Sequence, residues 1–232
     1  MPIYRLEEAP IFPDPTHAEP DGLLAVGGDL SPERLVNAYG NGIFPWYSEG
    51  EPMLWYSPDP RMILHPKNLK ISKSLTRLIK SQKYEQRIDT QFEAVIRNCS
   101  QAPRPDQDGT WITEEMIVAY IKLHQLGIAH SFETYQDGNL IGGLYGISLG
   151  KAFFGESMYH HSRDASKTAF AHLCQFAQDH DFHFIDAQVP SEHLERLGAE
   201  ELTRQKFLQQ LKQSLEHTTL QKSWANFVTK VL

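Results

Sequence analysis

Ala129-His130-Ser131-Phe132-Glu133-Thr134-Tyr135-Gln136-Asp137-Gly138-Asn139-Leu140-Ile141 is the stretch on which the fold turns. Asp137-Gly138-Asn139 between two strand-like runs is a hairpin signal, so strands are expected at 129–136 and 140–149. A third strand is expected at 151–158 and a fourth at 182–188, with a helix at 166–179 between them. Consecutive antiparallel strands followed by helix and strand make an α+β mixed sheet and exclude a doubly wound parallel one.

Upstream, helices are expected at 72–82, 91–100 and 113–126, the last with Thr113 as N-cap; downstream they are expected at 191–197 and 203–216. The first 62 residues read differently. They are rich in Pro and Gly, and Ser31-Pro32-Glu33-Arg34-Leu35 opens a short helix with Ser as cap and Pro at its first position. The aromatic loops Gly42-Ile43-Phe44-Pro45-Trp46-Tyr47 and Trp55-Tyr56-Ser57-Pro58-Asp59-Pro60-Arg61 follow. This predicts a small N-terminal domain over 1–62 and a second domain over 63–232.

The chemistry is expected where strands carry polar residues. In Phe184-Ile185-Asp186-Ala187-Gln188-Val189, alternation puts Asp186 and Gln188 on one face. In Ala152-Phe153-Phe154-Gly155-Glu156-Ser157-Met158, Glu156 stands where a core strand takes Val or Ile.

Formal net charge is −7 over 232 residues, unevenly spread. Residues 1–60 carry ten acids against Arg5 and Arg34, whereas Lys67, Lys70, Lys73, Arg77, Lys80, Lys83 and Arg87 face Glu85 alone between 65 and 87. On a helix those charges fall largely on one side, opposite Ile71, Leu75, Leu78 and Ile79. So unbalanced a face reads as a track for phosphates. No run approaches the roughly 18 apolar residues of a membrane span. The acidic Met1-Pro2-Ile3-Tyr4-Arg5-Leu6-Glu7-Glu8 has no signal-peptide core. Two distant cysteines, Cys99 and Cys174, imply reduced thiols and a cytoplasmic setting.

Several chemistries are excluded by pattern. Gly155-Glu156-Ser157-Met158-Tyr159 lacks the closing glycine of a nucleophile elbow. No phosphate loop or dinucleotide fingerprint occurs. The histidine and cysteine spacings do not make a zinc site, so neither metal nor other cofactor is expected. Trp46 and Trp111 sit on polar loops and suit stacking on a base.

Taken in order, Pro20-Asp21-Gly22-Leu23-Leu24-Ala25-Val26-Gly27-Gly28-Asp29-Leu30, Gly42-Ile43-Phe44-Pro45-Trp46, Trp55-Tyr56-Ser57-Pro58-Asp59-Pro60-Arg61, Gly109-Thr110-Trp111-Ile112-Thr113, Gly155-Glu156-Ser157-Met158 and Ile185-Asp186-Ala187-Gln188 resemble the bacterial leucyl/phenylalanyl-tRNA–protein transferases. The resemblance implies a small N-terminal domain before a GNAT-like (acetyltransferase-like) domain. It implies transfer of Leu or Phe, and less well Met, from aminoacyl-tRNA to acceptor proteins with N-terminal Arg or Lys, marking them for degradation by the N-end rule pathway. It points to Asp186 and Gln188 as the catalytic pair and to Glu156 as the contact for the aminoacyl end. Trp46 and Trp111 would hold the terminal adenosine, and Lys73, Arg77 and Lys80 the acceptor stem. Leu144, Phe153, Met158 and Ile185, with Phe170 beside them, are the expected apolar pocket. The family often has Cys where this chain has Ala187, so a thiol nucleophile is not needed.

Two other readings stay open on the sequence. An acyl-CoA-dependent N-acetyltransferase would share the fold, but Ser157–Ala165 offers no glycine turn for a pyrophosphate. A non-catalytic tRNA-binding adaptor would use the basic helix and the tryptophans, yet would leave Glu156, Asp186 and Gln188 without work.

Overall fold

A computed structural model describes residues 3–103 and 110–227. In the N-terminal part, β1 (Tyr4–Leu6), β2 (Leu23–Gly27), β3 (Phe44–Pro45) and β4 (Leu54–Tyr56) form a sheet in the order β1-β2-β4-β3. None of these strands was expected. Two to five residues between Pro and Gly turns are too few to print an alternating pattern. Helix α1 (Pro32–Gly40) begins as read, with the Ser31 hydroxyl accepting from the Arg34 N–H.

The remaining elements are β5 (Arg61–Leu64), α2 (Lys73–Lys80), β6 (Glu85–Ile88), α3 (Phe92–Gln101), α4 (Glu114–Gln125), β7 (Ala129–Gln136), β8 (Asn139–Leu149), β9 (Ala152–His160), α5 (Ala165–Asp179), β10 (Phe184–Gln188), α6 (Glu192–Arg196), β11 (Glu200–Leu202) and α7 (Arg204–Leu215). Asp137 (φ 51°) and Gly138 (φ 77°) both take left-handed backbone, as the two-residue turn between β7 and β8 requires. The second sheet has seven strands in the order β11-β5-β10-β9-β8-β7-β6. All neighbours are antiparallel except β9 and β10, joined through α5 and parallel. This is the mixed sheet that the hairpin reading requires. Strand β5, beside the expected domain boundary, is one of its members.

Alternation along the strands sorts apolar residues onto two faces. Tyr145, Ile147, Phe154 and Phe184 pack with α1, α3, α4 and α7 in a core continuous with the N-terminal sheet. Phe132, Leu144, Phe153 and Ile185 pack with Phe170 and Phe176 of α5 in a second core. That core is closed by the tail after α7. Trp224 is fully buried there, stacked 3.5 Å from His130 and 4.5 Å from Phe176. Its backbone N–H donates to Asp89 (2.8 Å), which also takes the His130 Nδ1 proton at 2.8 Å.

Candidate active site

Strands β9 and β10 pair only through Phe184–Ala152, Ile185–Phe153 and Asp186–Phe154. Beyond these pairs β9 runs on to His160 without β10, so the sheet opens at Gly155-Glu156 and Ala187-Gln188. Two irregularities shape the opening. Between β8 and β9 the register slips at Tyr145/Gly146, opposite Ser157 and Gly155, leaving Glu156 as the extra residue. A Cβ on Gly146 would stand 2.2 Å from the Phe154 carbonyl oxygen, so this slip needs glycine. Between β10 and β5 the register slips at Asp186/Gln188, and Gln188 takes a left-handed φ of 59°. The expected strict alternation of Asp186 and Gln188 therefore fails. Asp186 meets the Gln188 backbone and not its amide, with the Gln188 N–H donating to Asp186 Oδ1 at 3.0 Å.

Asp186 is wholly buried and held by Arg61, itself wholly buried. Arg61 Nε donates to Oδ1 at 2.9 Å and Nη2 to Oδ2 at 2.6 Å, a two-pronged contact that fixes the carboxylate plane. The third guanidinium nitrogen donates to the Gly42 carbonyl at 3.0 Å. The guanidinium carbon lies 4.9 Å from the Phe44 ring centre and 4.4 Å from that of Phe207. Arg61 thus ties the N-terminal loop to the bulge that carries Gln188.

Glu156 keeps some surface toward a cavity while its carboxyl is enclosed by protein. The Tyr39 hydroxyl donates to Oε1 at 2.7 Å, the Tyr120 hydroxyl lies 3.1 Å from Oε2, and the Gln188 side-chain nitrogen donates to Oε1 at 3.3 Å. That last contact turns the Gln188 amide oxygen away from Glu156, since a carboxyl oxygen takes the nitrogen end. Burial pushes Glu156 up to about 7, with the Asp186 charge adding to the rise, against the opposing pull of the two tyrosine hydroxyls and Arg61. Burial, reinforced by Glu156, drives both phenols well above their usual range, so neither ionises near neutrality.

Glu156 and Gln188 line a cavity of about 220 Å³ with Phe44, Pro45, Trp46, Trp111, Ala187 and Val189. Trp46 and Trp111 are each half-buried, and the Trp46 ring is braced edge-on by Tyr56 at 5.6 Å. Gly109, which opens the Trp111 motif, lies outside the described residues. Leu144, Phe153 and Ile185 are buried in the second core with Phe170, and Met158 is half-buried against it. Ala187 both lines the cavity and packs on that core, so it is the link between the two. Lys73, Arg77 and Lys80 are exposed along α2, with Leu75 buried beneath them. A larger open groove of about 690 Å³ runs past His65, Lys67, Phe182 and His183 at the other end of β10, away from Gln188. Among the described residues no cluster of His, Cys, Asp or Glu could hold a metal, and no helix is long and apolar enough to cross a membrane.

Sequence reading missed Arg61, Tyr39 and Tyr120. Arg61 stood inside a quoted motif with no role, and a helix tyrosine gives no sign in the sequence that its hydroxyl meets a carboxyl far along the chain.

Residues 63–212 match the family model for leucyl/phenylalanyl-tRNA protein transferase, and residues 28–59 match that for the N-terminal domain of the same family. The chain belongs to the leucyl/phenylalanyl-tRNA–protein transferase family. A relative of that name from Maridesulfovibrio salexigens is 55% identical over 97% of this chain and 94% of its own length. Another, from Myxococcus xanthus, is 53% identical over 97% of each. Among solved structures the chain is similar to FemX, at 10% identity and a TM-score of 0.50, covering 77% of this chain and 70% of that one. That likeness is one of fold, in keeping with the mixed sheet described above. The chain is thus an aminoacyltransferase, as the resemblance of its motifs implied.

Proposed function

We propose that this transferase moves Leu or Phe, and less well Met, from leucyl- or phenylalanyl-tRNA to the N-terminal Arg or Lys of acceptor proteins in the cytoplasm, marking them for the N-end rule pathway. The observation that carries this reading is the meeting of Glu156 and Gln188 in one cavity bordered by Trp46 and Trp111. The reaction is aminolysis of an activated ester. A C–N bond forms, the ester C–O bond breaks, and the proton lost by the attacking amine ends on the leaving ribose oxygen.

An α-amino group has a pKa of roughly 8, so a useful fraction is neutral at physiological pH and orientation carries much of the rate. Gln188 supplies that orientation. Its nitrogen is engaged by Glu156, which leaves its oxygen to accept from the attacking amine. Asp186 is a positioning residue in this reading, because its oxygens meet Arg61 and the Gln188 N–H rather than a substrate. Glu156 receives the α-ammonium of the aminoacyl group. Trp46 and Trp111 clasp the terminal adenosine, at about 1–3 kcal/mol per stacked base.

The aminoacyl side chain enters past Ala187, where β9 and β10 part, toward Met158, Ile185, Leu144 and Phe153. One methylene in such a pocket is worth about 1–3 kcal/mol, so leakage to Met is expected. Residues 63–232 would hold the transfer chemistry, and residues 1–62 would supply Trp46, Tyr39 and Arg61 to it. Lys73, Arg77 and Lys80 would follow acceptor-stem phosphates, reading shape and charge rather than bases.

Use of acyl-CoA is disfavoured by the approach to α5, where Asp164 takes the left-handed φ of 60° and the stretch 157–165 has no glycine to form a turn around a pyrophosphate. The deciding experiment mixes the protein with leucyl-tRNA and a peptide beginning with Lys, without ATP or CoA. Mass spectrometry should find one leucine added. A peptide left unchanged, with acetylation appearing once acetyl-CoA is supplied, would reverse the assignment.

A further inference from the structure

Tyr39, Tyr120 and Glu156 make a closed ring of oxygens. The two hydroxyls lie 2.5 Å apart, Tyr39 is 2.7 Å from Oε1, and Tyr120 is 3.1 Å from Oε2. Three contacts need three hydrogens, and two phenols carry two. If Glu156 is ionised, one contact must set lone pair against lone pair. If both phenols turn to the carboxylate, the unbridged contact is the 2.5 Å one, which is too short to lack a proton. A carboxylic acid supplies the missing hydrogen. Glu156 then donates from Oε2 to Tyr120, Tyr120 donates to Tyr39, and Tyr39 donates to Oε1, which also accepts from Gln188.

We infer that Glu156 carries a proton in the free enzyme, closed into this ring, and releases it when the α-ammonium of an aminoacyl group binds, Tyr39 and Tyr120 being the positioning residues that hold both forms. This rests on the reading of Glu156 as the ammonium contact. In the bound form the ring reverses. Tyr120 turns its hydrogen to Oε2, the ammonium brings the compensating charge, and the tyrosine contact can lengthen. No covalent bond changes, and the released proton passes to solvent.

The surroundings suit a neutral resting state. Glu156 is faced by Tyr39 from α1, by Tyr120 from α4 with Tyr145 of β8 edge-on behind it, and by Asp186 and Gln188 from β10. Arg61 of β5 is the nearby cation, and both its prongs are committed to Asp186. A lone carboxylate there would be enclosed with no counter-charge of its own. The rise of Glu156 to about 7 accords with this. Free enzyme thereby avoids an unpaired buried anion, and the site is charged only when its cationic ligand is in place.

The test compares two non-transferable probes: adenosine bearing a 3′-leucylamide, and the same compound without the α-amine. Calorimetric titrations at pH 6, in buffers of differing ionisation heat, count the protons exchanged. The probe amine, with a pKa of roughly 8, arrives already charged at that pH. The amine probe should release about one proton and the desamino probe none, following a Glu156 that titrates near 7. Difference infrared spectra should show a protonated-carboxyl band in free enzyme that vanishes as the amine probe binds and is absent in Glu156→Gln. In Tyr39→Phe and Tyr120→Phe the preference for amine over desamino probe should fall about tenfold with little change in melting temperature, a hydrogen bond to a charge being worth about 1.5–3 kcal/mol. Binding that favours the amine yet releases no proton and shows no such band overturns the ring while leaving Glu156 as the ammonium contact. Equal affinity for both probes overturns that underlying reading as well. An unchanged preference in both phenylalanine variants reduces the tyrosines to core residues.

Discussion

Replacing Arg61 with Met tests how the catalytic bulge is held. The change removes both prongs to Asp186 and the bond to the Gly42 carbonyl, while a methionine can still fill space between Phe44 and Phe207. What it leaves is a carboxylate with no exposed side-chain surface and no counter-charge. Breaking a buried pair in this way costs about 3–5 kcal/mol. For a chain of this size each kcal/mol moves the melting temperature by about 2–4 °C, so a fall of about 6–20 °C is expected. Stability of a domain is about 5–15 kcal/mol, so the variant still folds in the cold and can be assayed. Urea unfolding should give the loss directly. Arg61→Lys keeps the charge but not the fork and should fall between the two. In Arg61→Met/Asp186→Leu the damage should be less than the sum of the single changes by about 1–3 kcal/mol, since neither partner is left alone. Single-turnover transfer should fall in Arg61→Met at saturating leucyl-tRNA, because Gln188 loses the anchor of its backbone. A loss under about 1 kcal/mol with near-normal turnover would refute the clamp, and would return Asp186 to a direct part in proton transfer.

Glu156→Gln has a pH signature. The folded carboxyl titrates near 7 against 4.5 unfolded, so its contribution to stability is fully present below about 4.5 and is lost as pH rises through 7. Relative to wild type, the variant should gain up to about 3 kcal/mol between pH 4 and 8, read by denaturant titration; a flat difference would contradict a raised Glu156. Alanine at Trp46 or Trp111 should raise the apparent KM for aminoacyl-tRNA about tenfold or more, and a large fall in melting temperature without that defect would assign them to packing. Reversing two charges among Lys73, Arg77 and Lys80 should weaken tRNA binding and lower its salt slope by about one per lost phosphate contact; unchanged affinity and slope would make α2 a solvated surface.

Much of the larger sheet was readable because its strands are long enough to show their turns and caps. The Asp137-Gly138 turn and the Thr113 cap stand where the sequence puts them, and β7 has the expected ends. The short N-terminal strands were invisible, since β3 is two residues long and its partner β4 three. At the site, Glu156, Asp186 and Gln188 stood out as polar residues in apolar runs. Their geometry did not, because a register slip is a property of strand pairs, and the pairing of Arg61 with Asp186 spans 125 positions. The pocket residues were named as one group, yet nothing in Leu144 or Phe153 reveals which face of the sheet will carry them.

The burial of Trp224 has a consequence for how the protein is made. The second core backs Phe153 and Ile185, and it is capped by a tryptophan that comes after every helix and strand described here. A chain emerging from the ribosome can pair β7, β8, β9 and β10 well before residue 224 appears, but until then His130 and Phe176 lack their stacking partner and Asp89 lacks one of its donors. Synthesis order therefore makes completion of this core one of the last events, and a chain interrupted before the tail would expose an aromatic face to chaperones and proteases.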